Sequence, residues 1–188
     1  MGALKYAILG LLYQKNMTGY ELTKELETTL LQSWRAKHSQ VYPELKSLTE
    51  KGLVQYEVKI AGNVLEKKEY SITEEGKNEF LQWAVKLNPI KPIPKDEFRL
   101  QLFFSSCIKP EERLLLLENQ FTNHHNRLLE LRKAIKKFSS IPPDDETEFG
   151  DYLVLLGAIM NEENTCKWLK KCITMCQEKM GIEVAAEN

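Results

Sequence analysis

The chain has 188 residues, 43% hydrophobic and 28% charged, with 26 Lys and Arg against 27 Asp and Glu for a net charge of −1. Leu, Ile, Val and Phe supply 52 of the 188 residues, well above the roughly one-fifth below which chains stay disordered, so disorder, collagen-like sequence and a disulfide scaffold are excluded. Residues 1–87 carry +1 and the remainder −2, so there is no basic domain and any basic patch must be local.

Residues 4–13, LKYAILGLLY, are apolar and good helix formers, and Asn16 and Gly19 punctuate their end. Thr18 has the character to open a second helix, in which Leu22 and Leu26 lie one turn apart. A third helix begins near Ser39 and runs to Lys51, with Val41, Leu45 and Leu48 forming one apolar face. Pro43 is expected in its opening turn, where a missing N–H costs least, and Gly52 is the stop.

The period then changes from helical to alternating. Val54, Tyr56, Val58 and Ile60 interleave with Gln55, Glu57 and Lys59, which predicts a half-buried strand. Residues 61–63 supply the turn, and residues 65–72 return as a more polar strand around Tyr70. Thr73-Glu-Glu-Gly opens a further helix through Trp83 and Leu87. Residues 88–95, with three prolines, read as a hinge and mark the clearest boundary. Beyond it the pattern predicts a short helix over 96–107, a long one over 111–138, a break, and a last helix from about Glu146 to Met180. Residues 181–188 form a tail expected to fray.

The fold class expected is therefore mainly α. A winged helix-turn-helix with a two-stranded β-hairpin wing occupies residues 1–87, and a long-helix dimerisation domain occupies 96–180. In such a layout the third helix enters the major groove and the hairpin touches the flanking backbone. Candidate DNA-contacting groups at the start of that helix are Lys37, His38, Ser39, Gln40, Tyr42 and Lys46, and at the hairpin tip Asn63, Lys67 and Lys68. Gln40 suits a bidentate contact with adenine, while the lysines and Tyr42 suit phosphates. The same residues also fit an ordinary solvated helix face, and winged helices also serve as protein-docking modules.

A second signal is a pair of heptad-like stripes. Leu114, Leu117, Phe121, His124, Leu128 and Leu131, continued by Ile135 and Phe138, alternate at spacings of 3 and 4. Tyr152, Leu155, Ile159, Glu162, Cys166, Leu169 and Ile173 repeat the alternation in the last helix. Helices with this period pack lengthwise against partners, either in a symmetric dimer, the reading favoured for Leu114, Leu117, Phe121, His124, Leu128, Leu131, Leu155, Ile159, Leu169 and Ile173, or as an antiparallel hairpin within one chain.

Several motifs together carry a family resemblance. Tyr6-Ala-Ile-Leu-Gly-Leu-Leu, Thr18-Gly-Tyr-Glu-Leu, His38-Ser-Gln-Val-Tyr-Pro-Glu-Leu-Lys-Ser-Leu, Lys51-Gly-Leu-Val and Lys68-Glu-Tyr-Ser-Ile-Thr-Glu-Glu-Gly resemble the PadR family of bacterial transcription regulators. Lys95-Asp-Glu-Phe-Arg-Leu-Gln-Leu-Phe-Phe resembles the subgroup with a long helical C-terminal domain. The resemblance implies a homodimeric repressor on pseudo-palindromic double-stranded operator DNA, released by a small aromatic or drug-like effector. Trp34 and Trp168 are the aromatic side chains assigned to an effector site, against the common use of Trp as core.

Other constellations argue for little. Cys172 and Cys176 lie one turn apart, but no His or further Cys stands at ligand spacing, so neither metal nor cofactor is expected. His124 and His125 point about 100° apart on a helix and do not share one metal within a protomer; a hydrogen-bonded polar interruption of the stripe is the favoured reading of His124. No phosphate-cradling Gly loop, nucleophile elbow or HExxH is present, which speaks against an enzyme. The apolar run at 6–13 is too short to cross a membrane, no secretory signal precedes the cysteines, and Tyr6 stands where a myristoylation signal needs Ser or Thr. Free thiols in a reducing cytoplasm are the expectation. The remaining alternatives are a winged-helix protein adaptor and a helical dimer that binds a small molecule without specific DNA binding.

Overall fold

The computed structural model describes residues 2–28, 38–61, 65–90, 94–144 and 147–182. The chain divides into two compact units, Met1–Lys91 and Pro92–Asn188.

The first unit runs α1 (Ala3–Gln14), β1 (Met17–Thr18), α2 (Gly19–Thr28), α3 (His38–Glu50), β2 (Val54–Ala61), β3 (Leu65–Ile72) and α4 (Glu74–Ala84). Its sheet is antiparallel in the order β1-β3-β2. The hairpin of β2 and β3 is as expected except that Ala61, expected in the turn, ends β2 and pairs with Leu65, and β1 is an addition: Met17 pairs with Tyr70 and Thr18 with Glu69. A two-residue strand is too short to show alternation in the sequence. Ile8, Leu9, Leu12, Met17, Leu22, Leu26, Val41, Leu45, Leu48 and Val54 form the centre of the core.

Local chemistry sets the element ends. Thr18 and Glu21 form a capping box at α2: the Glu21 N–H donates to Thr18 Oγ1 at 3.2 Å, and the Thr18 N–H donates to Glu21 Oε2 at 2.8 Å. At the end of α3, Gly52 takes φ +70°. Its N–H donates to Thr49 O and the Leu53 N–H to Leu48 O, both at 3.0 Å, the paired bonds of a Schellman stop. Pro43 is placed differently from expectation, inside α3 rather than in its opening turn. It denies the Ser39 carbonyl an intrahelical partner, a cost limited by the exposure of both residues to water.

Two further expectations are corrected. Of the apolar residues expected to half-bury β2, Val54 is buried, whereas Tyr56 and Val58 are 40% and 52% exposed. The strand starts on the core and then runs beyond it as a wing. The helix opened by Thr73 ends at Ala84, short of Leu87. Thr73 caps it by accepting from the Gly76 N–H at 3.1 Å while donating to Gly52 O at 2.7 Å. Lys5, almost wholly buried, is ion-paired with Glu79, and the Tyr6 and Trp83 rings stack at 4.5 Å, so α1 and α4 are locked together.

The second unit holds α5 (Glu97–Phe103), a 3₁₀ turn at Ser105–Cys107, α6 (Pro110–Ile135) and α7 (Thr147–Lys179). The single short helix expected over 96–107 is thus broken at Phe104. The Arg113 guanidinium secures the break by donating to Ser105 O at 2.8 and 3.2 Å. The two long helices are antiparallel: Phe138 meets Tyr152, and fourteen residues earlier His124 meets Glu162. Leu128, Leu131, Leu155, Ile159 and Cys166 form the seam, flanked by Phe121, Ala134, Ile135 and Phe138.

Candidate nucleic-acid interface

The buried face of α3 (Val41, Leu45, Leu48) leaves Ser39, Gln40, Tyr42 and Lys46 on its exposed side. Ser39, Tyr42 and Lys46 follow each other at spacings of 3 and 4 and so share one face, with Gln40 at its flank. Lys46 Nζ lies 3.9 Å from Glu50 Oε1, a loose pair between two exposed groups that leaves the ammonium available. His38 opens α3, and its side chain lies outside the described residues, as do Trp34, Lys37 and Asn63 altogether.

The wing separates the two lysines that the sequence groups together. Adjacent strand residues face opposite ways, so Lys68 shares a face with Tyr56 and Tyr70, and Lys67 shares the other with Lys59, its direct partner across the hairpin. The Lys68 ammonium sits 4.2 Å above the Tyr56 ring centroid, a cation–π contact that fixes its direction. Lys59 is ion-paired with Glu69, whose hydrogen bond holds the Lys59 ammonium above its ordinary pKa. On the other face, burial raises the Tyr70 hydroxyl, with the Lys68 charge opposing it. Lys59 and Tyr56 are the groups that sequence reasoning missed. Only the register of the hairpin reveals that they stand beside Lys67 and Lys68.

In the second unit the striped positions face each other within one chain. Leu117, Leu128, Leu131, Leu155, Ile159 and Leu169 are buried, Phe121, His124 and Ile173 partly so, and Leu114 half-buried at the start of α6. The antiparallel hairpin accounts for this burial. Leu115, Leu129, Leu153, Val154, Leu156 and Met160 point outward and are exposed. The two polar members of the stripes meet: His124 Nδ1 is 2.5 Å from Glu162 Oε2, and Arg127 Nε is 3.1 Å from Glu162 Oε1.

Trp168 is packed under α5, edge-on to Phe98 at 6.2 Å and with the Arg99 guanidinium 5.1 Å from its ring. All four cysteines are free thiols. Burial pushes the Cys166 and Cys172 thiols above their ordinary pKa, which suppresses thiolate chemistry. Among the described residues no group of three or more His, Cys, Asp or Glu is placed to hold a metal ion. No described helix is long and apolar enough to cross a membrane.

Three helices, a hairpin wing and a polar outer face on the third helix define a winged helix-turn-helix protein with a long-helix second unit. Residues 8–82, from α1 to α4, match the Transcriptional regulator PadR-like family, and residues 94–177, from α5 into α7, match the Virulence activator alpha C-term family. The negative transcriptional regulator PadR of Bacillus subtilis is 40% identical over 178 residues, 93% of this chain and 98% of that protein. The crystal structure of Bacillus subtilis PadR in complex with operator DNA superposes with a TM-score of 0.86 at 38% identity, covering 93% of this chain and 99% of that one. The complex of the same protein with p-coumaric acid gives 0.84 at 36% identity, covering 93% and 98%. The chain belongs to the PadR-like family of transcriptional regulators.

Proposed function

We propose that this regulator is a cytoplasmic, non-enzymatic repressor that binds a pseudo-palindromic operator as a homodimer and is released by a small aromatic acid. The likeness over nearly the whole chain to a relative crystallised on operator DNA carries this reading. The exposed row of Ser39, Gln40, Tyr42 and Lys46 on α3 supports it from the residues themselves. In this reading α3 enters the major groove, Gln40 reads a base edge, and Tyr42, Lys46, Lys67 and Lys68 meet phosphates. The winged domain is assigned to 1–87, the hinge to 88–95, the dimerisation domain to 96–180 and the tail to 181–188.

The dimer is proposed to form through the outer faces of the helical unit, because the inner stripes are already covered. Leu115, Leu129, Leu153, Val154, Leu156 and Met160 offer apolar area for a two-fold contact. The effector class follows from the relative bound to p-coumaric acid, with Trp168 as the proposed aromatic neighbour.

A footprint on the regulator's own upstream DNA, titrated with salt and then with p-coumaric acid, tests the reading. The expected result is two protected half-sites about one helical turn apart, weakening steeply with salt and lost on addition of the acid. A folded dimer that protects no DNA above background would move the winged unit to protein docking.

A further inference from the structure

Gly19, the first residue of α2, is buried although it carries no side chain, and what covers it comes from α3. A Cβ built on Gly19 would lie 2.7 Å from Tyr42 Cε1, 3.1 Å from Cζ and 3.3 Å from the hydroxyl oxygen. The ring of Tyr42 therefore rests directly on the glycine backbone. Backbone freedom is not what the position requires, since Gly52 and Gly181 are the glycines with positive φ among the described residues. Glycine also sacrifices helix propensity here, where alanine would favour α2. Room for one aromatic ring is the remaining physical reason for glycine at this point.

Tyr42 is 49% exposed, with one ring edge against Gly19 and its exposed surface on the same side of α3 as Ser39 and Lys46. A tyrosine on an exposed helix face ordinarily samples several rotamers. Seating one edge against the first turn of α2 removes that freedom before any ligand arrives, which lowers the ordering cost on binding. The capping box of Thr18 and Glu21 pins the same turn of α2, so the seat itself is rigid.

We propose that Gly19 is a positioning residue for DNA recognition: by lacking a side chain it seats the Tyr42 ring against α2 and fixes where the Tyr42 hydroxyl meets the phosphate backbone. The proposal rests on the operator-binding reading above. On this proposal a change at Gly19 acts on affinity rather than on folding. The atoms in the way are the far end of a side chain that can swing outward, so an added methyl displaces the ring at little cost in stability.

The test is a double-mutant cycle on operator affinity with Gly19→Ala and Tyr42→Ala, each checked for folding by circular dichroism and thermal melting. Gly19→Ala alone is expected to weaken operator binding about tenfold, the scale of one misplaced phosphate hydrogen bond, with its melting temperature close to wild type. In the Tyr42→Ala background the same change is expected to alter affinity by less than about twofold, because the group it acts through is gone. Equal losses in both backgrounds, or no loss in the wild-type background, would overturn the role of Gly19. A wild type that binds no operator would instead overturn the DNA reading, and this role with it. A DNA-free measurement addresses the seat directly. 3-Fluorotyrosine at position 42 should show a shifted ¹⁹F resonance in Gly19→Ala, and an unmoved resonance would mean that the ring does not rest there.

Discussion

Across the seam of the helical unit, His124 Nδ1 lies 2.5 Å from Glu162 Oε2, each residue interrupting an otherwise apolar stripe. Arg127 holds the other Glu162 oxygen at 3.1 Å, and the Glu162 side chain is only 13% exposed. A carboxylate so covered is tolerated because both of its oxygens have partners. Its removal therefore has two distinct outcomes, depending on what replaces it.

Glu162→Ala leaves Arg127 and His124 without their shared acceptor and opens a gap, with an expected loss of about 2 kcal/mol. Glu162→Leu refills the volume and continues the stripe, so its stability should stay within about 1 kcal/mol of wild type. Urea denaturation at a fixed protein concentration distinguishes the two, because the proposed dimer would make stability concentration-dependent. An equal loss in both variants would show that the polar triad itself holds the seam.

Much of the fold was legible because it is written in periods and caps. The β2 and β3 hairpin, the Gly52 stop and the Thr73 cap all carry local signals that tertiary structure does not overturn. What escaped notice lacks such a signal. The two residues of β1 have no period, and the break at Phe104 depends on Arg113 reaching back to the Ser105 carbonyl. The stripes of α6 and α7 have the same spacing whether they meet each other or a second copy. The candidate site was half legible for the same reason. Exposed positions on α3 follow from its buried face, whereas the neighbours of Lys67 and Lys68 depend on pairing across a turn.

Gly76 is a second close-packed glycine, but its neighbour is backbone. A Cβ there would lie 2.1 Å from Leu53 O and 2.8 Å from Ile72 Cγ1. The carbonyl cannot swing aside without breaking its bond from the Thr73 N–H, 3.1 Å away. Gly76→Ala is therefore expected to destabilise the winged unit by about 3 kcal/mol or more, lowering the melting temperature and operator binding together. A melting curve coincident with wild type would contradict this packing.

Glu21 offers a pH-dependent test. Its pKa is lowered first by the hydrogen bond from the Thr18 backbone N–H and next by the Thr18 hydroxyl; burial opposes them, and Lys15 and Lys67 add lesser attractions. A carboxyl with a depressed folded pKa adds stability above its unfolded value, and that contribution disappears as pH falls through the folded value. Glu21→Gln should accordingly be less stable than wild type at neutral pH, and the gap should close as pH drops below the ordinary carboxylate range. A gap that is constant with pH would mean that the capping contacts do not depend on the charge.

The wing lysines make the last prediction. Lys67 and Lys68 face opposite sides of β3, and only Lys68 lies against Tyr56, at 4.2 Å from its ring. If each neutralises one phosphate, Lys67→Ala and Lys68→Ala should each reduce the slope of log affinity against log salt by about 0.9, and the double variant by about twice that. Tyr56→Leu should weaken binding in the wild-type background by freeing Lys68, yet add little once Lys68 is alanine. In a Lys67→Ala background its effect should persist in full, because that lysine points away from the ring. Salt titrations of wild type and the six variants on one operator fragment give all the slopes. An unchanged slope in either single lysine variant would remove that residue from the phosphate contacts.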